Sequence, residues 1–336
     1  VHDVRACVVI PTLDGRELLA AALSSLDRQT LEADVVVVDN GSSDGTAAMV
    51  AERFPRVRVV RLDRNVGFGA AVNRGAAEAL DGTDVLVLVN NDVECEPVFV
   101  ERIVEPFADP TVGMAAGVLL QADDPELVDS AGIELDGTLR SYDALWNEPA
   151  AGLAHAGDPV GPCGGAAAYR LDAFRAVGGF DDAFFAYWED VDLALRLRLL
   201  GWRCVLAPSA RALHRHGQTV GAGSPRARSL DAYGRGFVLA RYRVTRGRPT
   251  RQAAVALLDW PALAAHLVAR REAEPLRARA RGVRAGRARA PLRPPIELAT
   301  VPLREAVARQ WRFLALRLRG RAPRHFYERA GVGPRR

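Results

Sequence analysis

The sequence predicts an α/β fold: a mostly parallel sheet with helices on both faces. Three observations predict it. Short apolar runs recur through the first 110 residues, each followed by a segment of helical period. The runs are apolar throughout rather than alternating, as in strands covered on both faces. Polar clusters stand directly after these runs, where an open parallel sheet places its ligands.

The elements follow in order. Residues 5–10 (RACVVI) read as a buried strand, and residues 14–29 carry Leu18, Leu19, Ala22, Leu23 and Leu26 at helical spacing. Residues 33–38 form a second strand. Residues 44–54 form a second helix, with Ser42, Ser43 and Asp44 as cap candidates. Segments 57–62, 67–80, 84–89 and 97–107 continue as strand, helix, strand and helix. From Val112 the rhythm changes. Residues 132–162 read as hairpins and loops, 189–200 as a helix and 203–206 as a short strand. Beyond Pro225 the chain is rich in Arg, Ala and Leu, with helical patterns broken by Pro249, Pro261, Pro275, Pro291, Pro294 and Pro295. No internal repeat stands out. The expected domains are a body over 1–224 and an Arg-rich helical extension over 225–336.

Composition narrows the class. With 49% hydrophobic and 26% charged residues in 336, the chain can bury a core, which excludes a disordered or collagen-like protein. Cys7, Cys95, Cys163 and Cys204 are scattered without C-x-x-C spacing, against a zinc-finger array or disulfide framework and in keeping with a reducing compartment. No leader pattern opens the sequence. Its longest apolar stretch, 253–269, is interrupted by Asp259, Pro261 and His266, so a cytoplasmic location without a spanning helix is expected. Every one of the 45 basic residues is Arg, a uniformity from which no function follows. The net charge of +4 conceals a division: 27 Arg against 7 acids over 225–336, and 18 Arg against 34 acids before it. An acidic body with a basic tail predicts catalysis in one part and attachment to a polyanion in the other.

Three polar clusters follow predicted strands. Asp39-Asn40-Gly41-Ser42-Ser43-Asp44 reads as a turn and helix cap, which accounts for Asp44 but not for an acid at the strand tip, Asp39. Residues 65–75 (NVGFGAAVNRG) contain G-x-G but lack the rest of a dinucleotide fingerprint. Small residues opening that helix permit close approach of a phosphate or sugar, or tight packing on the sheet. Asn90-Asn91-Asp92 reads either as a polar turn or as a site for a hard divalent cation that bridges phosphates. Farther on, Asp190 shares a helix face with Leu193, Ala194 and Leu197, which sets its carboxylate over the core side of the first turn. Asp192, four residues before Arg196, reads as a surface pair, and Glu189 as the more peripheral neighbour. His214-x-His216 is a metal-site spacing in which His216 is the ordinary member.

Taken in order, VVIPTLDG, VVVVDNGSSDGT, NVGFGAAVNRG, VLVNND, GGAAAYRLDAFRAVGGFDDAFFAYWEDVDLALRLRLLGW and HRHG resemble the family-two inverting glycosyltransferases of GT-A fold, among them the rhamnosyltransferase-like members. The resemblance covers about residues 5–217. It implies a nucleotide site lined by Pro11, Thr12, Asp14, Gly69 and Arg74, with Asp39 accepting from the base and Asn91 near the ribose. It implies a divalent metal, Mg²⁺ or Mn²⁺, on Asp92, with His214 as the late metal or diphosphate contact. Asn90 stands where many members have Asp, one formal charge fewer. Asp190 would be the general base, with Trp188, Glu189, Gly164 and Gly165 beside the acceptor.

The donor would be a nucleotide-diphosphate sugar. The acceptor would be a glycan or polyprenyl-diphosphate-linked glycan of the cell envelope. The Arg-rich runs 277–289 and 312–324 read as helices lying on an anionic membrane face, or as a solvated or packed extension. No nucleic-acid motif accompanies the charge. Two other readings stand beside this one. A nucleotidyltransferase calls for a Gly-rich, basic loop after the first strand, which PTLDGRELL lacks. An inactive nucleotide-sugar-binding protein need not retain both Asp92 and Asp190.

Overall fold

A computed structural model describes residues 4–215, 224–269, 272–293 and 296–309. His216 and the 312–324 run lie outside the described residues. The first half alternates within a few residues of expectation: β1 (Ala6–Thr12), α1 (Arg16–Leu26), β2 (Asp34–Asp39), α2 (Thr46–Arg53), β3 (Arg58–Arg61), α3 (Phe68–Ala77) and β4 (Val85–Val89). Then come β5 (Val93–Cys95), α4 (Phe99–Val104), β6 (Val112–Gln121), β7 (Asp124–Ser130), β8 (Ile133–Leu135), β9 (Ser141–Asp143), β10 (Ala166–Arg170), α5 (Leu171–Ala176), α6 (Glu189–Leu199) and β11 (Arg203–His214). The chain continues with α7 (Pro225–Arg241), α8 (Pro249–Ala269) and α9 (Glu274–Ala288).

The main sheet runs β3-β2-β1-β4-β10-β6-β11-β5, with β7 also paired to β6. Strands β1 to β4 are parallel; the apolar runs of β1, β2 and β4 are buried because helices cover both faces, while the edge strand β3 is only half-buried. Strand order reverses between β1 and β4, so the crevice beyond their carboxyl ends is where such a sheet takes a ligand. Thr12 and the segment after Val89 stand at that crevice.

The second half departs from the sequence reading. Strands β6, β7 and β10 and the short α5 were not expected. β10 is Ala166–Arg170 (AAAYR), a weak strand former that holds its place by antiparallel pairing to β4 and β6. The short strand expected at 203–206 extends to His214. A register shift between Leu206 and Arg211 accommodates Pro208 and lets pairing with β6 resume. Nor do all the prolines break helices. Pro225, Pro249 and Pro275 stand in first turns, where a missing N–H costs nothing, and Pro261 lies inside α8.

The described residues divide into two compact units. The first holds the main sheet and α1–α6. The second gathers α7–α9 with two segments from earlier in the chain, Glu134–Tyr142 and Ala186–Trp188. Within it, Asp259 is buried and accepts from Arg140, Arg235 and Arg279. Burial alone would raise the Asp259 carboxyl, but those three guanidinium groups outweigh it and lower the pKa. Helix α9 turns Ala278, Gly282 and Gly286 to its buried side, where a side chain at Gly282 would overlap the Tyr233 carbonyl of α7. Its exposed side carries Arg277, Arg281, Arg284 and Arg287. The described run 277–289 therefore packs by its small residues and presents Arg outward.

Candidate active site

The strand tips form one hydrogen-bonded assembly. Parallel register sets Thr12 beside Asp39, both buried. Asp39 Oδ1 accepts from the Ser42 N–H at 2.8 Å, and its Oδ2 lies 3.9 Å from Arg61 Nε. Asp14 accepts from the Ser43 N–H at 2.7 Å and donates its own N–H to Ser42 at 3.0 Å. These bonds tie the β1–α1 loop to the β2–α2 loop. Asn91 Nδ2 donates to Thr12 Oγ1 at 2.9 Å, which extends the assembly to the tip of β4. Pro11 is buried within β1.

Asp92 and His214 come together through the sheet. Asp92 immediately precedes β5, whose Val93 pairs with His214 of β11. The His214 Nε2 lies 3.4 Å from Asp92 Oδ1, and that buried oxygen has no hydrogen-bond partner. On the other side, His214 Nδ1 is 2.8 Å from Asp129 Oδ2. A carboxylate only accepts, so Nδ1 carries the proton there. In a neutral imidazole, Nε2 would then face Asp92 as a second acceptor, and a proton or cation must lie between them. Burial pulls the His214 pKa down, but the flanking carboxylates outweigh it and push it up to about 9.

The same pair fits a metal ion. Adjacent ligand atoms of an octahedral site sit about 3 Å apart when each bond is about 2.1 Å. Among the described residues, no three His, Cys, Asp or Glu side chains converge as a cage. Mg²⁺ is commonly held by one or two carboxylates together with substrate phosphates and waters, and Asp92 would supply such a carboxylate here.

The carboxylates of α6 sit differently from expectation. Asp190 is half-buried at the first turn. Its Oδ1 accepts from the Val191 N–H at 2.8 Å and its Oδ2 from the Gly164 N–H at 3.4 Å. The neighbouring Gly165 carbonyl accepts from the Asn90 N–H at 3.4 Å. The Gly164-Gly165 turn thus links Asp190 to the tip of β4. Burial raises the Asp190 pKa against the backbone donors that lower it, and raises Glu189 together with the Asp190 charge.

Two expectations on this helix are corrected. Glu189 is not peripheral: it is 6% exposed, and its buried Oε2 has no hydrogen-bond partner. Asp192 is not at the surface. It is fully buried and accepts from Arg196 at 2.7 Å, while Arg196 also donates to the Val177 and Gly179 carbonyls. Removing one partner of such a pair costs about 3–5 kcal/mol, because the other is left charged and buried.

Glu189→Gln is therefore expected to stabilise the protein at pH 8. Burial raises the folded-state pKa of Glu189, so its favourable contribution is present at low pH and lost as pH rises through that pKa. Gln escapes that loss. The melting midpoint of the variant should exceed wild type at pH 8, by roughly 2–4 °C per kcal/mol, with the difference closing toward pH 4. An unchanged or lower midpoint at pH 8 would contradict it.

Other expected residues have packing explanations. A Cβ on Gly69 would come within 2.8 Å of Phe180 Cβ, so this glycine admits α3 against that ring. Arg74 lies on the exposed side of α3, along a groove with Val60, Leu62, Arg64 and Glu78, and not among the strand-tip bonds above. Trp188 belongs to the second unit, where it is 8% exposed and gives its indole N–H to Asp231 at 2.8 Å. With the Arg235 guanidinium 5.7 Å from its ring centroid, it anchors its segment instead of offering a face to a ligand.

Two residues were missed. Asn40 donates to the Asn65 side chain and the Gly67 carbonyl and accepts from the Val66 N–H, which holds the β3–α3 loop. Its place in a strand-tip cluster was a usable signal. Asp129 lies in an unexpected strand and carried none.

Likeness to solved structures shows the fold to be GT-A. The mannosyltransferase PcManGT from Pyrobaculum calidifontis, in complex with GDP-Man and Mn²⁺, aligns with TM-score 0.53 and 19% identity, covering 97% of this chain and 83% of its own. GalNAc-T7 with UDP, GalNAc and Mn²⁺ aligns with TM-score 0.57 and 17% identity, covering 75% and 52%. The chain belongs to glycosyl transferase family 2, whose model matches residues 7–178. The N-acetylglucosaminyl-diphospho-decaprenol L-rhamnosyltransferase of Mycobacterium tuberculosis is 30% identical over 236 residues, 64% of this chain and 77% of the relative. The succinoglycan biosynthesis protein ExoA of Rhizobium meliloti is 29% identical over 239 residues, 66% of this chain and 69% of the relative. Family membership sets aside the nucleotidyltransferase reading.

Proposed function

We propose that this family-two glycosyltransferase is inverting and metal-dependent, and that it moves a sugar from a nucleotide diphosphate to a polyprenyl-diphosphate-linked glycan in cell-envelope synthesis. L-Rhamnose is the sugar in the name of the mycobacterial relative and is the donor sugar proposed here. One observation carries the reading: the Gly164-Gly165 turn connects the Asp190 carboxylate, by one hydrogen bond from the Gly164 N–H and one to the Gly165 carbonyl, to the strand tip that bears Asn91 and Asp92. A base for the acceptor at the start of α6 and a holder for the diphosphate at the tip of β4 are thereby connected.

The residues divide the work. Asp39, Thr12, Asp14 and Asn91 orient the nucleotide. Asp92 and His214 would hold the metal, which when bound offsets negative charge developing on the leaving diphosphate. Asp190 takes the proton of the acceptor hydroxyl as that oxygen attacks the anomeric carbon from the face opposite the leaving group. A single displacement needs one base and inverts the centre. Burial keeps Asp190 a better proton acceptor than an ordinary carboxylate. The body over 1–224 would carry this chemistry.

The extension over 225–336 would bring the enzyme to an anionic membrane face in the cytoplasm. No described helix is long and apolar enough to cross a membrane. Helix α8 exposes Ala253, Leu257, Trp260 and Ala264 at spacings of four, three and four, and Arg243, Arg246 and Arg248 stand exposed just before it. An apolar stripe beside basic residues suits a helix lying in the interface plane.

The test is a thermal-shift screen with Mn²⁺ and UDP-, GDP- or dTDP-sugars, followed by transfer to a polyprenyl-diphosphate-GlcNAc acceptor in anionic or neutral vesicles. Stabilisation by one base class, an inverted anomeric centre in the product and faster transfer in anionic vesicles are expected. Retention of configuration would rule out the single displacement. Equal rates in both vesicles would rule out the membrane role.

A further inference from the structure

We infer that Asp129 is a positioning residue for the metal site: it holds the His214 ring so that Nε2, and not Nδ1, is presented beside Asp92. The inference rests on the metal-dependent reading above and names a residue which that reading does not use.

The sheet explains how Asp129 comes to do this. One edge of β6 pairs with β11, register His214 to Gln121, and its other edge pairs with β7. Leu119 of β6 faces Ser130 and Leu120 faces Val128, so the register passes over Asp129. Asp129 is the extra residue of a bulge, and bulges re-aim a side chain without breaking the strand. Here the carboxylate is directed to His214 Nδ1 at 2.8 Å, while Nε2 stands 3.4 Å from Asp92 Oδ1. Asp92, His214 and Asp129 thus lie in one line of contacts across the sheet end.

An acid that is 2% exposed is costly to bury unless its bonds repay it. Metal-bound imidazoles commonly donate their other N–H to a carboxylate, which sets the tautomer and the ring plane. Loss of such a partner typically weakens metal affinity about 10–100-fold. Asn in place of Asp129 could accept from Nδ1–H or donate to a bare Nδ1. It would no longer enforce one tautomer.

The experiment uses the full chain with a nucleoside diphosphate and Mn²⁺. Mn²⁺ affinity is measured by calorimetry, nitrogen ligation by the ¹⁴N modulation of the Mn²⁺ spin echo, and nucleotide affinity separately in EDTA. Asp129→Asn is expected to weaken Mn²⁺ binding about 10–100-fold and to diminish the ¹⁴N signal, with nucleotide affinity in EDTA unchanged. Asp129→Ala is measured in parallel, so that the test survives if one variant fails to fold. Asp92→Asn serves as the reference. If Asp92→Asn weakens Mn²⁺ binding while both Asp129 variants match wild type in affinity and ¹⁴N signal, Asp129 has no positioning role. If wild type and Asp92→Asn bind Mn²⁺ alike, the metal site itself is wrong and the inference falls with it.

Discussion

Asp190→Asn is expected to lower kcat by about 10²-fold or more while leaving donor affinity nearly unchanged. The base acts on the acceptor, so its loss appears in turnover and not in nucleotide binding. Asp190 is the better placed of the two adjacent carboxylates. It is half-buried and hydrogen-bonded to Gly164, whereas Glu189 is enclosed. The pH profile gives a second readout. A base works ionised, and burial raises the Asp190 pKa, so turnover should fall on the acid side along a limb closer to neutrality than an ordinary carboxylate's. That limb should be missing from the residual rate of the Asn variant. Active Asp190→Asn beside inactive Glu189→Gln would move the base by one residue.

Asp92→Ala is expected to abolish the Mn²⁺-dependent part of nucleotide-diphosphate binding while the protein stays folded. Asp92 Oδ1 is buried with no hydrogen-bond partner, and its contact at 3.4 Å is with His214, which keeps its bond to Asp129, so the loss is local to the site. The neighbouring amides, Asn90 and Asn91, carry no charge with which to replace it. Titrating the nucleoside diphosphate with and without Mn²⁺ separates the two contributions. Equal enhancement by Mn²⁺ in wild type and variant would remove Asp92 from the site.

Much of this site could be read before the fold was known, because it sits on local structure. Asp39 and the Asn90-Asn91-Asp92 run follow apolar stretches whose length and continuity mark buried parallel strands, and side chains just past such strands meet at one sheet edge. The acids at the first turn of α6 were legible from the start of its helical pattern. Periodicity misjudged their surroundings. It ranks helix faces by the helix's own residues, and Asp192 is buried by what Arg196 and the Val177–Gly179 carbonyls bring to it. Glu189 is enclosed by the same kind of distant packing, with its Cβ 3.7 Å from where a Gly69 side chain would begin.

What the sequence by itself determined is the alternating sheet of the first half and the polar residues at its strand tips. Both are written in runs of fewer than fifteen residues, the range over which hydrophobic period and turn chemistry act. Tertiary structure alone decided the second half of the sheet. Alanine-rich β10 is a strand because β4 and β6 flank it, and β11 reaches His214 only because a bulge carries it past Pro208. It also decided which acids meet His214, since Asp92 arrives by β5 pairing and Asp129 by a bulge in β7. These contacts join residues 85 or more positions apart in the chain, and no local pattern encodes a partner at that distance.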